Sequence, residues 1–133
     1  MVIVDTSIWV QFFKKNNSKE RRELDLLLVQ NEVLMVGVVL AEVLQGARNQ
    51  HEFERLRDHL STLPYAQETR DTWTLIGALS YQLRQNGATL SLIDLLIAAL
   101  AIQRKCEVYT LDQHFARVPG LTLHKVPEPK IGS

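Results

Sequence analysis

Met1-Val2-Ile3-Val4-Asp5-Thr6-Ser7-Ile8-Trp9 opens the chain, and its reading decides the fold. Val2 to Val4 is a continuous β-branched run, the pattern of a strand covered on both faces; a half-exposed strand would alternate. Asp5 ends the run. Thr6 or Ser7 is suited to cap a helix that carries Trp9, Val10 and Phe13. A covered strand giving way at once to a helix is the start of a β–α unit, and the rest of the chain keeps to that alternation.

Asn16-Asn17-Ser18 reads as a loop with Ser18 as a cap, leading into an amphipathic helix with Leu24, Leu27 and Leu28 on one face. Val33 to Val36 is a second strand. Gly37 opens the turn into a helix that contains Glu42 and that Gly46 ends. Phe53, Leu56 and Leu60 mark the next helix, and Leu63 to Ala66 an edge strand in which Pro64 is tolerated. Trp73, Ile76, Leu79 and Leu83 follow a helical period closed by Asn86-Gly87. The apolar helix from Leu92 to Gln103 leads into a strand over Val108 to Leu111. After a short helix and a Pro119-Gly120 turn, Leu121 to Lys125 reads as the last strand. The expected class is α/β with a mainly parallel sheet. A single domain is expected over 1–126, since no repeat, low-complexity tract or linker interrupts it, with 127–133 as a mobile tail.

The composition narrows the function. The chain has 133 residues, 46% hydrophobic and 23% charged, an ordinary balance for a globular domain. Fifteen Lys and Arg offset fifteen Asp and Glu, which argues against a strong non-specific nucleic-acid binder but not against local engagement of a phosphodiester. The longest apolar stretch, Leu92 to Ile102, contains Asp94 and is too short to span a bilayer. Cys106 is the single cysteine, so no intramolecular disulfide is expected, and residues 1–9 lack the basic region and small-residue cleavage site of a secretory signal. A cytoplasmic location and no membrane contact are the expectation.

Four acids stand where apolar residues belong. Asp5 follows the first strand, Glu42 interrupts Val38-Val39-Leu40-Ala41, Asp94 sits inside Leu92 to Ala101, and Asp112 follows Val108 to Leu111. A carboxylate in low dielectric is costly unless it is paired, hydrogen-bonded or bound to a cation. Taken singly, most have a structural explanation. Asp5 and Asp112 each precede a helix and can cap it. Ser91-Leu92-Ile93-Asp94 has capping-box spacing, although the helix around it is apolar on every side. Glu42 has no basic residue three or four positions away to pair with. One shared cation site accounts for all four together. In parallel sheets ligands bind beyond the carboxyl ends of strands, where Asp5 and Asp112 stand. Oxygen donors without a His or Cys cluster point to Mg²⁺, with Mn²⁺ as substitute, rather than zinc. His51, His59, His114 and His124 lack ligand spacing, and no phosphate-binding glycine loop or nucleophile motif is present. Metal-assisted hydrolysis of a phosphoester is the chemistry that remains.

Val4-Asp5-Thr6-Ser7-Ile8-Trp9, Leu40 to Gly46, Ser91 to Ala99 and Tyr109 to Phe115 together resemble a PIN-domain ribonuclease, and most of all the VapC-type toxins of bacterial toxin–antitoxin pairs. The likeness runs from Val2 to about Val126. It implies a three-layer sandwich, a central sheet flanked by helices, with Asp5, Glu42, Asp94 and Asp112 as the catalytic and metal-binding pocket. Thr6 and Thr110 match hydroxyl positions that support the acids or contact phosphate, and His114 stands where many members have an acid. The resemblance further implies an RNA substrate, a homodimer, and inhibition by a small cognate antitoxin. In the expected mechanism, Asp5, Asp94 and Asp112 bind one or two Mg²⁺, Glu42 is a further ligand or holds the attacking water, and the products carry 5′-phosphate and 3′-hydroxyl. Lys14, Lys15, Lys19, Arg21 and Arg22 are candidates to flank an RNA groove, although a solvated helix face explains them as well.

Other readings compete. A PIN nuclease of housekeeping RNA processing, without an antitoxin, differs little in sequence. A non-catalytic binding module is a third reading, against which the intact set of acids argues. Phosphatases of the Asp-x-Asp type need a second acid where Ser7 stands, and a receiver-like domain needs a lysine that Lys125 supplies poorly.

Overall fold

The structure, a computed structural model, describes residues 1–14 and 17–128; Lys15, Asn16 and residues 129–133, most of the expected tail, lie outside them. Four strands, β1 (Val2–Val4), β2 (Val33–Val36), β3 (Tyr65–Ala66) and β4 (Glu107–Tyr109), form one sheet in the order β3-β2-β1-β4. Every pairing is parallel, with Val2 opposite both Val33 and Glu107. The helices are α1 (Thr6–Phe13), α2 (Lys19–Val29), α3 (Gly37–Gln45), α4 (Gln50–Leu60), α5 (Arg70–Gln85) and α6 (Leu92–Arg104), with a 3-10 helix at Gln113–Arg117. The α/β class expected from the sequence is the class found.

The continuous apolar runs explain the centre of the sheet. Val2, Ile3 and Val4 are buried, as are all four residues of β2. Helices cover them in two groups: α1 packs on α2 and α3, and α3 on α4, whereas α5 packs on α6, which also touches β1 and β4. Leu95 through Ala101 are all buried, so the apolar girdle of α6 is spent on contacts all round the helix. Complete burial of a side chain such as Leu95 or Ile97 stabilises by ~1.5–3 kcal/mol.

Local details depart from the sequence reading. Asp5, not Thr6 or Ser7, holds the cap position of α1, and no side chain caps that helix. Both hydroxyl residues lie in its first turn, and their side chains are engaged elsewhere, as described below. On α5 the inward position falls to Thr72, fully buried, while Trp73 is half exposed. Thr72 Oγ1 donates to Gln103 Oε1 at 2.8 Å and accepts from Thr69 N at 3.0 Å, so a satisfied polar residue occupies the core position. Strand β4 ends at Tyr109, and Thr110 and Leu111 already belong to the connection that places Asp112. Residues 121–125 do not form a strand. They make one bridge, Val108 to Leu123, on the outer edge of β4.

Candidate active site

Strand order reverses at β1. The chain goes from β1 outward to β2 and β3, then returns across the sheet to place β4 on the other side of β1. Such a reversal leaves a crevice at the carboxyl ends of β1 and β4, because the connections on the two sides leave in opposite directions. Asp5 follows β1 and Asp112 follows β4, so both acids stand at that crevice. The Asp5 N–H donates to Tyr109 O at 2.9 Å, which joins the two strand ends directly.

Hydroxyls hold the acids. Ser7 Oγ and Thr110 Oγ1 both donate to Oδ2 of Asp5, at 2.9 and 2.8 Å, and the Asp5 residue is only 9% exposed. The same two oxygens accept backbone N–H groups from the β4 connection, Ser7 from Leu111 at 3.1 Å and Thr110 from Asp112 at 2.9 Å. The loop that carries Asp112 is thus tied to the carboxylate of Asp5 through two side chains. Asp112 accepts from His114 N at 2.9 Å, so it does cap its short helix, and the exposed His114 ring sets Nδ1 at 2.9 Å from the same Oδ1. From α3, Glu42 receives Thr6 Oγ1 at 2.9 Å. Asp94 sits in the first turn of α6, where Ser91 Oγ accepts its N–H at 3.1 Å. The capping explanation therefore holds for Asp112. It holds only in part at Asp94, where Ser91 is the cap and no capping box is formed, and it fails for Asp5, whose carboxylate caps nothing. Glu42 had no such explanation to begin with.

The four acids act on one another. Burial raises the pKa of the Asp94 carboxyl above 3.8; the Ser91 hydroxyl opposes this, and the charges of Asp5, Asp112 and Glu42 add to the rise. All three charges acting on it are negative. Clustered anions of this kind call for a cation. Among the described residues, no three acidic, histidine or cysteine side chains are gathered closely enough to cage an ion. Mg²⁺ does not need such a cage: it keeps several waters and uses one or two carboxylates with substrate oxygens. The donor set, carboxylates with hydroxyl support, fits such an ion.

One concavity reaches Glu42, and a second continues from it. A cleft of about 550 Å³ between α1, α3 and α4 is lined by Thr6, Lys14, Glu42 and Arg48, with Phe13 at its wall. A groove of about 620 Å³ is lined by Trp9, Phe12, Leu28, Leu56 and Leu63 and shares Phe13, Arg48, Glu52 and Leu56 with the cleft. Lys14 lines the same cleft as Glu42, and Arg21 lines the apolar groove, near Asp25 and over the Phe12 ring. Arg22 turns to Asn17 O, and Lys15 lies outside the described residues. The sequence reading missed Arg48, and it missed Ser7 as a site residue. A hydroxyl two positions after a strand-end acid was the available signal, but it was weighed only as a helix cap.

The profile of the PIN domain family matches residues 2–121. Similar curated proteins include VapC ribonuclease Mb1587 of Mycobacterium bovis, 27% identical over 126 residues, which cover 92% of this chain and 94% of that protein. Ribonuclease VapC2 of Rickettsia felis is 29% identical over 126 residues, covering 91% and 94%. Among solved structures, VapBC2 from Rickettsia felis bound to a DNA fragment from the promoter aligns with a TM-score of 0.77 at 28% identity, over 93% of this chain and 98% of that one. A toxin–antitoxin complex from Klebsiella pneumoniae, at 24% identity, shares the fold with a TM-score of 0.75 over 92% and 96%.

Proposed function

Since this chain belongs to the PIN-domain family, we propose that it is an Mg²⁺-dependent endoribonuclease, the toxin of a toxin–antitoxin pair. The observation that carries the reading is the pair of strand-end acids after β1 and β4: Asp5 is held by Ser7 and Thr110, and the same two hydroxyls tie the loop of Asp112 to it. The curated relatives that span nearly the whole chain are named as VapC ribonucleases.

In this reading Asp5, Asp94 and Asp112 hold the cation, and Glu42 serves as a further ligand or orients the attacking water. When bound, Mg²⁺ supplies the positive charge that activates water and stabilises the leaving 3′ oxygen. Ser7 and Thr110 engage one oxygen of Asp5 and leave the other to the crevice. Thr6 fixes the carboxylate of Glu42. Lys14 and Arg48 line the approach beside Glu42 and are placed to meet phosphates of the strand. The partly exposed pair of His114 and Asp112 lies at the other side of the cluster, where His114 is a candidate substrate contact.

The apolar groove that continues from the cleft suits a protein segment better than RNA, and it supports an antitoxin as the partner that covers the approach to Glu42. A homodimer is proposed on family grounds alone. Expression in cells tests the whole reading. The wild-type chain should arrest growth, co-expression of the protein encoded beside it should relieve the arrest, and Asp5→Asn should abolish it. Arrest that survives Asp5→Asn would speak for a binding module instead.

A further inference from the structure

Both ring nitrogens of His124 face carboxylate oxygens. Nε2 lies 2.6 Å from Glu23 Oε2 on α2, and Nδ1 lies 2.8 Å from Glu107 Oε1 on β4. A neutral imidazole has one N–H and one lone pair, so it satisfies one of these acids and turns a lone pair on the other. An imidazolium donates to both. The surroundings sharpen the choice: the Glu23 side chain is 8% exposed and that of His124 14%, so water cannot readily replace a missing donor at Glu23. The charges acting on the ring are those of Glu23 and Glu107, both negative. Tyr109 meets it edge-on at 5.2 Å, its hydroxyl donates to Glu20 O, and burial with the charges of Glu20 and Glu23 keeps that hydroxyl protonated.

The ring also anchors a segment that the strand pattern does not explain. Residues 121–126 lie along the outer edge of β4, where Val108 N–H donates to Thr122 O at 3.0 Å and His124 N–H donates to Val108 O at 2.8 Å. Leu121, Leu123 and Val126 pack against the core. An uncovered strand edge is open to pairing with other chains, so this cover has consequences for the whole molecule.

We infer that segment 121–126 is a strap locked across α2 and β4 by a protonated His124, and that the lock opens when the ring gives up its proton. Glu107, whose side chain is 45% exposed, can then turn to water while Glu23 keeps the remaining N–H. Burial pulls the ring's pKa down, but the hydrogen bonds and charges of Glu107 and Glu23 more than reverse this, so it lies above the ordinary 6.5. A histidine with a raised folded pKa contributes stability that is complete below the unfolded value and lost as pH rises through the folded one. The strap is accordingly secure below the ordinary 6.5 and loosens as pH rises through the ring's higher folded value. The inference does not depend on the nuclease reading.

Long-range proton–nitrogen NMR spectra of the full chain, recorded across the titration of His124, test this directly. Both His124 nitrogens should carry protons at mildly acidic pH, and the ring should lose its proton only above the ordinary histidine value. Through that titration, hydrogen exchange at Val108 N–H and His124 N–H should accelerate beyond the increase that base catalysis imposes on α6 amides. Glu107→Gln keeps an acceptor and removes one charge; it should bring the His124 titration and the loss of protection to lower pH together. A neutral tautomer at mildly acidic pH would overturn the inference. So would strap protection that tracks α6 across the range, or that is unmoved in Glu107→Gln.

Discussion

Asp94 is the residue at which the cost of the site can be read most directly. Its carboxyl binds a proton more tightly in the folded state than its ordinary 3.8 implies, through burial first and three neighbouring acids after it. A carboxyl with a raised folded pKa favours the folded state in acid and weighs against it as pH climbs past the ordinary value. Asp94→Asn should therefore stabilise the metal-free fold at neutral pH, by no more than ~1 kcal/mol because the group stays partly solvated, and the gain should vanish in acid. Thermal melts of both proteins in chelator check this, and a lower Tm for the variant at neutral pH would contradict it. Ser7 and Thr110 act through Asp5. Replacing either with Ala should weaken Mg²⁺ affinity by about 10–100-fold, the usual effect of removing a group that orients a metal ligand. Titration calorimetry with the metal alone reads this without any RNA. At this scale the sequence was informative where polarity clashed with its surroundings: Glu42 among valines and leucines stood out unaided. Ser7 did not, because a hydroxyl near a helix start has an ordinary use as a cap, and only the fold shows that it bonds Asp5 and Leu111 instead.

Elements were legible where one pattern dominated. The unbroken β-branched runs of β1 and β2 and the apolar length of α6 allowed a single reading, and the structure agrees with it. α5 was legible as a helix but not in its facing. Hydrophobicity alone turned Trp73 inward, whereas the buried line runs through Thr72, Ile76, Leu79 and Leu83. A buried threonine is tolerable only with partners, and its partner, Gln103, is supplied by α6, far along the chain. Thr72→Val should therefore cost about 0.5–1.5 kcal/mol, since it removes the bonds to Gln103 and Thr69 but leaves both of those exposed residues open to water. Denaturant unfolding measures that loss, and a change near zero would mean that these groups find other partners. The last segment misled for a related reason. Its alternating residues read as a strand, but the hold on it comes from His124, Glu23 and Glu107, side chains far apart in sequence.

The site belongs to the whole molecule more than to any one motif. Its acids come from the ends of β1 and β4 and from α3 and α6, and the crevice exists because the chain reverses strand order at β1. The strand–helix alternation made the parallel sheet legible, but the order β3-β2-β1-β4 depends on long-range pairing that no local pattern encodes. Metal binding should couple to the stability of this assembly. With Mg²⁺ at about 100 times its Kd, the wild-type chain should gain ~2.7 kcal/mol, read as a rise in Tm that Asp5→Asn lacks. The central claim is that these four carboxylates direct a cation and water against an RNA phosphodiester, and the ends of the cut strand record whether they do. Purified wild-type chain, incubated with end-labelled total RNA, should cut only when Mg²⁺ or Mn²⁺ is present and should leave 5′-phosphate and 3′-hydroxyl. Cleavage that persists in chelator, or that leaves a 2′,3′-cyclic phosphate, would contradict the account.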